Sequence, residues 1–242
     1  YNEFIDVFMK NFEFDHLIRE LKRSSAPVVI FGTKKVGSLT YHALTNAGIK
    51  IDYFCDDAES ALNKKSIYNI PIISSKELQK LDPELNVFIG AWVVYQILIQ
   101  LKKLKIKNVH NSVNLFKNTD FSKIDTGMSA HEIRRRVDIY NAECNTLTKE
   151  DSTEVKVKYV DITVTEACSM KCESCSNLMQ YYLTPKNSDT DLLFKSVDKL
   201  MKVVDTIYEF RVVGGEPFIN KQIGKVINRL LKYKSIKEIV IY

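Results

Sequence analysis

Three cysteines crowded into eight positions constrain this chain more than any other feature of its sequence. Cys168, Cys172 and Cys175 follow the spacing C-x3-C-x2-C directly after a predicted strand. Thiolates this close together on one loop can face a single point, and soft sulfur ligands suit an iron–sulfur cluster. Three protein ligands for four irons leave one iron open to a small molecule. The spacing therefore predicts a 4Fe-4S cluster with a vacant coordination position.

The cysteine spacing also admits other interpretations. A structural zinc site almost always takes four protein ligands, and the fourth would have to come from Cys55, Cys144 or one of the four histidines, all distant in sequence. The three thiols could also be buried side chains without a ligand. The odd total of five cysteines argues against a secreted disulfide scaffold and predicts a reducing, cytoplasmic location.

A second motif, Gly214-Gly215-Glu216-Pro217, follows the next predicted strand of the same half of the chain. Glycines let the backbone approach a ligand closely, and backbone carbonyls accept hydrogen bonds from an ammonium group. By itself such a turn is typical of any strand-to-helix connection. Its position after a strand that neighbours the cysteine motif in sequence indicates that both motifs serve one site.

Strands and amphipathic helices alternate through residues 153–242. Strands are predicted near 159–164, 210–213 and 236–241, with helices over 191–207 and 220–234. This order is typical of a β/α barrel, whose chemistry lies at the carboxyl ends of its strands. Three strands cannot close a barrel, so we expect residues 153–242 to form the first, incomplete part of one.

The same alternation predicts an α/β fold in the first half of the chain. Short apolar strands near 28–31, 51–54 and 87–89 alternate with helices, which indicates a Rossmann-like parallel sheet. We assign residues 1–116 to this domain, including a helix over 3–22 that packs beside the sheet.

A predicted helical linker, residues 117–152, connects the two domains. Its helix over 129–147 directs Ile133, Val137 and Tyr140 inward and its three consecutive arginines mostly outward.

Gly32-Thr-Lys-Lys-Val-Gly37 lies between the first strand and its helix. It matches the first and third glycines of the dinucleotide pattern G-x-G-x-x-G, with Lys34 at the middle position. The helix N-terminus and the two lysines could hold a phosphate. Asp56 ends the second strand, where an acidic residue often meets a ribose. These residues form a candidate nucleotide site.

The bulk composition excludes several classes of protein. The net charge is +5, with lysines and acids interspersed, and no nucleic-acid-binding motif accompanies it. No apolar run approaches the roughly 20 residues that a membrane span needs, and no signal peptide is recognisable. We therefore expect neither a nucleic-acid partner nor a membrane span.

The cysteine and Gly-Gly-Glu-Pro motifs together resemble the signature of the radical S-adenosylmethionine (SAM) superfamily. The resemblance implies that the three cysteines bind a 4Fe-4S cluster and that SAM chelates its fourth iron. It places Ser174, where the family usually has an aromatic residue, beside SAM, and Gly214 to Pro217 along the SAM amino group. It further implies an electron donor such as flavodoxin or ferredoxin and reductive cleavage of SAM to a 5′-deoxyadenosyl radical. No general acid or base is assigned.

Residues 28–90 resemble the nucleotide-sugar-binding N-terminal domain of bacterial sugar acetyltransferases. The similarity rests on Val28 onward, Tyr53 to Asp57, Ile70 to Ile73 and Val87 to Gly90. It implies a radical SAM enzyme that acts on a sugar or nucleotide-sugar in surface-glycan synthesis. The alternatives are a peptide- or protein-modifying radical SAM enzyme, in which this domain would bind a partner, and a zinc-stabilised interaction module without catalysis.

Overall fold

The computed structural model describes residue 8 and residues 13–82, 84–147 and 154–242. The chain divides into two compact units, Tyr1–Glu150 and Asp151–Tyr242. In each unit the strands are mainly parallel and are connected by helices, which confirms the predicted α/β class. No helix in the described part of the chain is long and apolar enough to cross a membrane.

The first unit is a six-stranded sheet flanked by helices. Its elements in chain order are α1 (Phe14–Arg23), β1 (Val28–Phe31), α2 (Lys35–Asn46), β2 (Tyr53–Cys55), α3 (Glu59–Leu62), β3 (Ser66–Ile67), β4 (Ile70–Ile73), α4 (Ser75–Leu78), β5 (Asn86–Ile89), α5 (Val94–Lys103), β6 (Asn108–His110), α6 (Val113–Lys117) and α7 (Ala130–Leu147).

The strand order β3-β4-β2-β1-β5-β6 places β1 at the centre of this sheet. All pairs are parallel except the β3–β4 hairpin. From β1 the chain adds β2 and β4 on one side and then β5 and β6 on the other, so the strand order reverses between β1 and β5. Ligands of open α/β sheets bind at such a switch point. β1 and β5 are buried along their whole length, as expected for strands covered on both faces.

The predicted linker is packed onto the first unit. Helix α7 contacts α2, α5 and α6. Its buried Tyr140 donates a hydrogen bond to the carbonyl of Ile89 (2.7 Å) and accepts one from the backbone N–H of Ser112 (3.0 Å). The hydroxyl thus ties α7 to the ends of β5 and β6. The predicted boundary between the linker and the second domain, at residues 152 and 153, lies outside the described residues.

Replacing Tyr140 with phenylalanine is expected to lower the free energy of unfolding by about 1–3 kcal/mol. The change leaves a buried carbonyl and a buried N–H without their shared partner. Urea unfolding followed by circular dichroism measures the loss. Tyr181, which is 72% exposed, is the control, because Tyr181→Phe should change stability by no more than about 0.5 kcal/mol. Equal effects of the two substitutions would rule out a stabilising role for the Tyr140 hydroxyl.

The second unit is a three-stranded parallel sheet with two helices. Its elements are β7 (Lys156–Thr165), α8 (Thr190–Leu200), β8 (Thr206–Gly214), α9 (Ile223–Leu230) and β9 (Ile239–Ile241). The strands pair in the order β7-β8-β9. Helices α8 and α9 pack on one face through a core that contains Val164, Val197, Phe210, Val212, Val226 and Leu230.

Several helices are shorter than their sequence patterns predict. The helix expected over 191–207 ends at Leu200, because residues 201–203 form a turn before β8. The helix expected over 220–234 begins at Ile223, since Asn220 instead binds the end of β7 through its side chain. The helix predicted over 3–22 is described from Phe14 onward. The predicted single helix is interrupted at Glu13, whose backbone is not helical and which precedes α1; residue 8 is described and buried, and residues 3–7 and 9–12 lie outside the described residues.

Candidate functional site

The three clustered cysteines lie on one closed loop at the carboxyl end of β7, which we call the cysteine loop (residues 166–185). The chain returns to β7 after the loop, where the N–H of Ser188 donates to the carbonyl of Val164 and the N–H of Glu166 donates to that of Lys186. The Thr165 hydroxyl reinforces this closure with a 2.6 Å hydrogen bond to Asn187. Both ends of the loop are therefore fixed to the sheet.

All three loop thiols are reduced and accessible. Cys172 is exposed, and Cys168 and Cys175 are half-buried. The N–H of Met170 donates to Cys168 Sγ (3.4 Å). Backbone N–H groups of Met179, Asn177 and Leu178 lower the pKa of the Cys175 thiol, since they favour the thiolate. The thiolate is the form that binds metal, so the loop backbone already favours metal binding at Cys175.

Three thiols are suitable ligands for an iron–sulfur cluster, but the loop does not hold them in a complete metal-binding arrangement. Within residues 8, 13–82, 84–147 and 154–242, no group of three or more His, Cys, Asp or Glu side chains is gathered closely enough to hold a metal ion. Metal binding and local folding are commonly coupled, because thiolates converge only around the ion that offsets their charge. The assignment of Cys168, Cys172 and Cys175 as ligands therefore stays a prediction.

The Gly-Gly-Glu-Pro turn lies directly against the start of the cysteine loop. The N–H of Gly215 donates to the carbonyl of Thr165 (3.0 Å), and that of Glu216 donates to the carbonyl of Ala167 (2.8 Å). A Cβ added at Gly215 would lie 2.8 Å from Cys168 Cβ and still closer to the Ala167 carbonyl. A side chain therefore cannot be accommodated there without displacing the loop. The structure brings the two motifs together.

The other residues assigned to SAM by resemblance have different surroundings. Ser174 is exposed on the cysteine loop. Pro217 is buried and begins a short 3₁₀ turn, Pro217–Ile219. The carbonyl of Gly214 accepts a 3.4 Å hydrogen bond from the side chain of Asn177, which links the turn to the middle of the loop, just after Cys175.

Asn220 is a site-forming residue that the sequence motifs did not single out. It is buried, and its amide donates to the carbonyl of Val164 (2.8 Å) while its side-chain oxygen accepts from the N–H of Gln222. It therefore connects the segment after the turn to the end of β7. The sequence offered one indication of this role, the position of Asn220 three residues after Pro217. An asparagine next to a turn often forms hydrogen bonds with backbone groups that the turn leaves free.

A second feature missed from sequence is a charged and aromatic face of the β7-β8-β9 sheet, opposite the face that α8 and α9 cover. We call it the polar face, and it comprises Tyr159, Asp161, Glu209, Arg211 and Tyr242. Arg211 contacts the buried Glu209 at 2.5 Å and Asp161 at 3.7 Å, and its guanidinium lies 4.0 Å from the centre of the Tyr159 ring. The signal in sequence was the alternation of polar residues at every second position of otherwise apolar strands.

The glycines predicted for a nucleotide site pack at the switch point of the first sheet. A Cβ at Gly32, whose φ is +117°, would lie 2.6 Å from the carbonyl oxygen of Gly90, and one at Gly90 would lie 2.7 Å from Gly37 Cα. The absence of side chains thus lets α2 begin directly against β1 and β5. The structure brings Gly32 and Gly37 together.

Asp56 is turned toward the loop after β1. Its carboxylate accepts from the backbone N–H and the hydroxyl of Thr33, at 3.0 and 2.7 Å, and from the N–H of Ala58. Asp56 still lines a cavity at this edge of the sheet. A ribose contact by Asp56 stays a prediction, and its three hydrogen bonds give it a clear role in holding the Thr33 loop.

Iodoacetamide is expected to modify the loop cysteines of the cluster-free native chain quickly, and Cys55 and Cys144 only after unfolding. Burial raises the pKa of both buried thiols, that of Cys144 to about 12, whereas backbone donors lower the pKa of Cys175. Since the thiolate is the nucleophile, Cys175 should react faster than Cys55 and Cys144. Mass mapping of alkylated peptides with and without urea measures it. Rapid native labelling of Cys55 or Cys144 would contradict the described packing.

No protein-family model matches the chain. Partial similarity connects it with GTP 3',8-cyclases. The cyclase of Clostridium botulinum is 30% identical over 86 residues, and that of Clostridium acetobutylicum is 30% identical over 87; each match covers 35% of this chain and 26% of the relative. The cyclase of Sulfurimonas denitrificans is 31% identical over 85 residues, 34% of this chain and 26% of the relative.

The chain therefore spans about a quarter of the length of the curated relatives it matches. GTP 3',8-cyclases are radical SAM enzymes, so these partial matches support a place for the chain in the radical SAM superfamily. A 4Fe-4S cluster and SAM are the general cofactors of that superfamily.

Proposed function

We propose that this chain belongs to a radical SAM enzyme in which Cys168, Cys172 and Cys175 hold a 4Fe-4S cluster. The observation that carries the proposal is the packing of the Gly-Gly-Glu-Pro turn against the cysteine loop, with Gly215 in contact with Ala167 and Cys168. A plain strand-to-helix turn does not require one glycine packed against the end of β7 and the next packed against a loop of three free thiols. The partial similarity to GTP 3',8-cyclases supports the same class.

When bound, the cluster and SAM would supply the difficult chemistry, the reductive cleavage of SAM. The chain's own residues bind and orient. The thiolates of Cys168, Cys172 and Cys175, on a loop fixed at both ends, would hold the cluster. The Gly215 carbonyl, together with the second lone pair of the Gly214 carbonyl, whose first accepts from the Asn177 side chain, would offer acceptors to the SAM ammonium group. Because Cys172 is exposed, the loop is accessible to an electron donor such as flavodoxin or ferredoxin.

The polar face is the proposed substrate side of the second unit. Its charged groups lie on β7 and β8, the strands whose carboxyl ends carry the two motifs. Barrel enzymes place their chemistry at those ends, next to the inward-facing side chains. Glu209, Arg211 and Asp161 offer hydrogen-bond donors and acceptors that suit a polar substrate. We propose a sugar or nucleotide-sugar of a surface-glycan pathway.

Anaerobic reconstitution tests this function. Incubation of the reconstituted protein with SAM and dithionite should produce 5′-deoxyadenosine and methionine in equal amounts, measured by liquid chromatography. A full-length preparation that binds iron and sulfide but never cleaves SAM would overturn the catalytic assignment. A preparation that binds zinc and no iron would instead indicate the non-catalytic interaction module.

A further inference from the structure

The first unit contains a two-lobed crevice at the carboxyl ends of β1, β2 and β5. The lobes have volumes of about 490 and 470 Å³, each within the range of small-molecule sites. Both are lined by the same loop and strand end, namely Thr33, Lys34, Lys35, Asp56 and Ala58. A ligand long enough to enter both lobes would pass directly over Lys34 and Lys35.

The two lobes differ in chemistry. The first is the more polar of the two and contains Lys64 and the phenol of Tyr68. The second is mostly apolar, with Trp92, Val93 and Ile97 on its wall. A ligand with a flat apolar end, a hydroxyl-bearing end and an anionic connection between them matches this arrangement. A nucleoside diphosphate carrying a sugar has that chemistry.

Part of the crevice wall comes from outside the Rossmann-like segment. Thr126 and Met128, in the loop before α7, line the first lobe, and Arg136 of α7 lines the second. The sequence pattern predicted that the arginines of this helix point mostly outward, and this is wrong for Arg136. Its side chain is 16% exposed, whereas that of Arg134 is 85% exposed.

Arg136 is held in place but incompletely satisfied. Its guanidinium lies 4.7 Å from the centre of the Trp92 ring, and one terminal nitrogen lies 3.5 Å from Glu132. Its Nε is buried and has no hydrogen-bond partner among the described residues. A buried donor without a partner is costly, so an acceptor on a ligand in the second lobe would relieve that cost.

The charges around the crevice suit a ligand with both phosphate and hydroxyl groups. Lys34, Lys35, Lys64 and Arg136 provide four cations. Asp56 and Asp57 are the lining carboxylates, and Glu132 pairs with both Lys35 and Arg136 at 3.5 Å.

Burial opposes ionisation of Asp57, but hydrogen bonds from Ser75 and Gln100 outweigh it and lower its pKa. Its carboxylate thus remains an acceptor. Acidic acceptors beside cations are the combination that a nucleotide's ribose and phosphates require.

We propose that α7 supplies the ligand-discriminating cation of a nucleotide-diphosphate site in this crevice. Arg136 contacts the diphosphate from the second lobe, opposite Lys34 and Lys35, while Trp92 holds the guanidinium in position. Residues 126–136 are therefore a ligand-binding element as well as a connection. This inference goes beyond the substrate side proposed for the second unit, because it gives the first unit a nucleotide-diphosphate ligand of its own, and it does not depend on the cluster.

Isothermal titration of the full chain with UDP-N-acetylglucosamine, UDP, GDP, uridine and inorganic pyrophosphate tests the site. Arg136→Gln should weaken binding of the diphosphate nucleotides by roughly tenfold or more, as expected for loss of a charge-assisted hydrogen bond. It should leave uridine binding unchanged, which separates a phosphate contact from general damage to the fold. Arg136→Lys should restore part of the affinity. Arg134→Gln, on the exposed side of the same helix, should have no effect.

Three results would overturn the proposal. One is that none of the nucleotides binds with a Kd below about 1 mM. Another is pyrophosphate binding as tightly as the nucleotides, and the third is an equal loss in the Arg134 and Arg136 variants. Cys172→Ala should bind the nucleotides normally. Intact nucleotide binding without SAM cleavage would therefore contradict the radical SAM function alone, and SAM cleavage without nucleotide binding would contradict this site alone.

Discussion

Replacing Cys172 with alanine is expected to reduce the iron content of the reconstituted chain from about four atoms to less than about one, and to abolish 5′-deoxyadenosine formation. A 4Fe-4S cluster on three protein thiolates has no spare ligand. The remaining free thiols, Cys55 and Cys144, are buried in the first unit, so neither can take the place of Cys172. Iron and sulfide analysis under anaerobic conditions measures the loss.

Ser176→Ala is the matched control for this substitution. Ser176 is exposed on the same loop, one residue after Cys175, and carries a hydroxyl that is not a ligand for iron–sulfur clusters. Its iron content should equal that of the unmodified chain. Full iron content in Cys172→Ala, or an equal loss in both variants, would contradict the ligand assignment.

Replacing Gly215 with alanine is expected to disrupt the site without removing any ligand. The new methyl group would lie 2.8 Å from Cys168 Cβ and closer still to the Ala167 carbonyl, so the turn must move away from the cysteine loop. We expect a loss of about 1–3 kcal/mol in the free energy of unfolding. SAM affinity should fall by at least tenfold, because the displaced backbone no longer faces the ligand.

Gly224→Ala provides the control for a glycine substitution in the same unit. A Cβ at Gly224 meets no atom within 4 Å, and alanine favours the helical conformation of α9 by about 0.5–1 kcal/mol. This variant should be as stable as the parent or more stable, with unchanged SAM binding. Normal SAM binding in Gly215→Ala would show that the close packing of the two motifs is not required.

Much of this site could be predicted because its residues are close in sequence and follow strands. The cysteines and the glycine turn were placed after β7 and β8, and parallel neighbouring strands bring their carboxyl ends to one edge of the sheet. Apolar runs such as Val28–Phe31 predicted buried strands for the same reason, since a strand covered on both faces has no polar alternation.

The missed features depend on side-chain reach or on contacts between distant elements. Helical periodicity predicted that the three consecutive arginines point mostly outward, but a long side chain such as that of Arg136 can extend along the surface and lie over a ring such as Trp92. The hydrogen bonds of Asp56 to Thr33 were also not predicted, because they depend on a loop conformation that spacing does not specify. The pairing of Arg211 with Glu209 required the strand register to be known.

Electron paramagnetic resonance of the reduced, anaerobically reconstituted protein, recorded with and without SAM, tests the central claim most directly. A cluster held by Cys168, Cys172 and Cys175 alone has an iron that SAM can reach, so the spectrum of the reduced cluster should change when SAM is added. A spectrum that SAM leaves unchanged, or a protein that contains zinc in place of iron, would contradict the account.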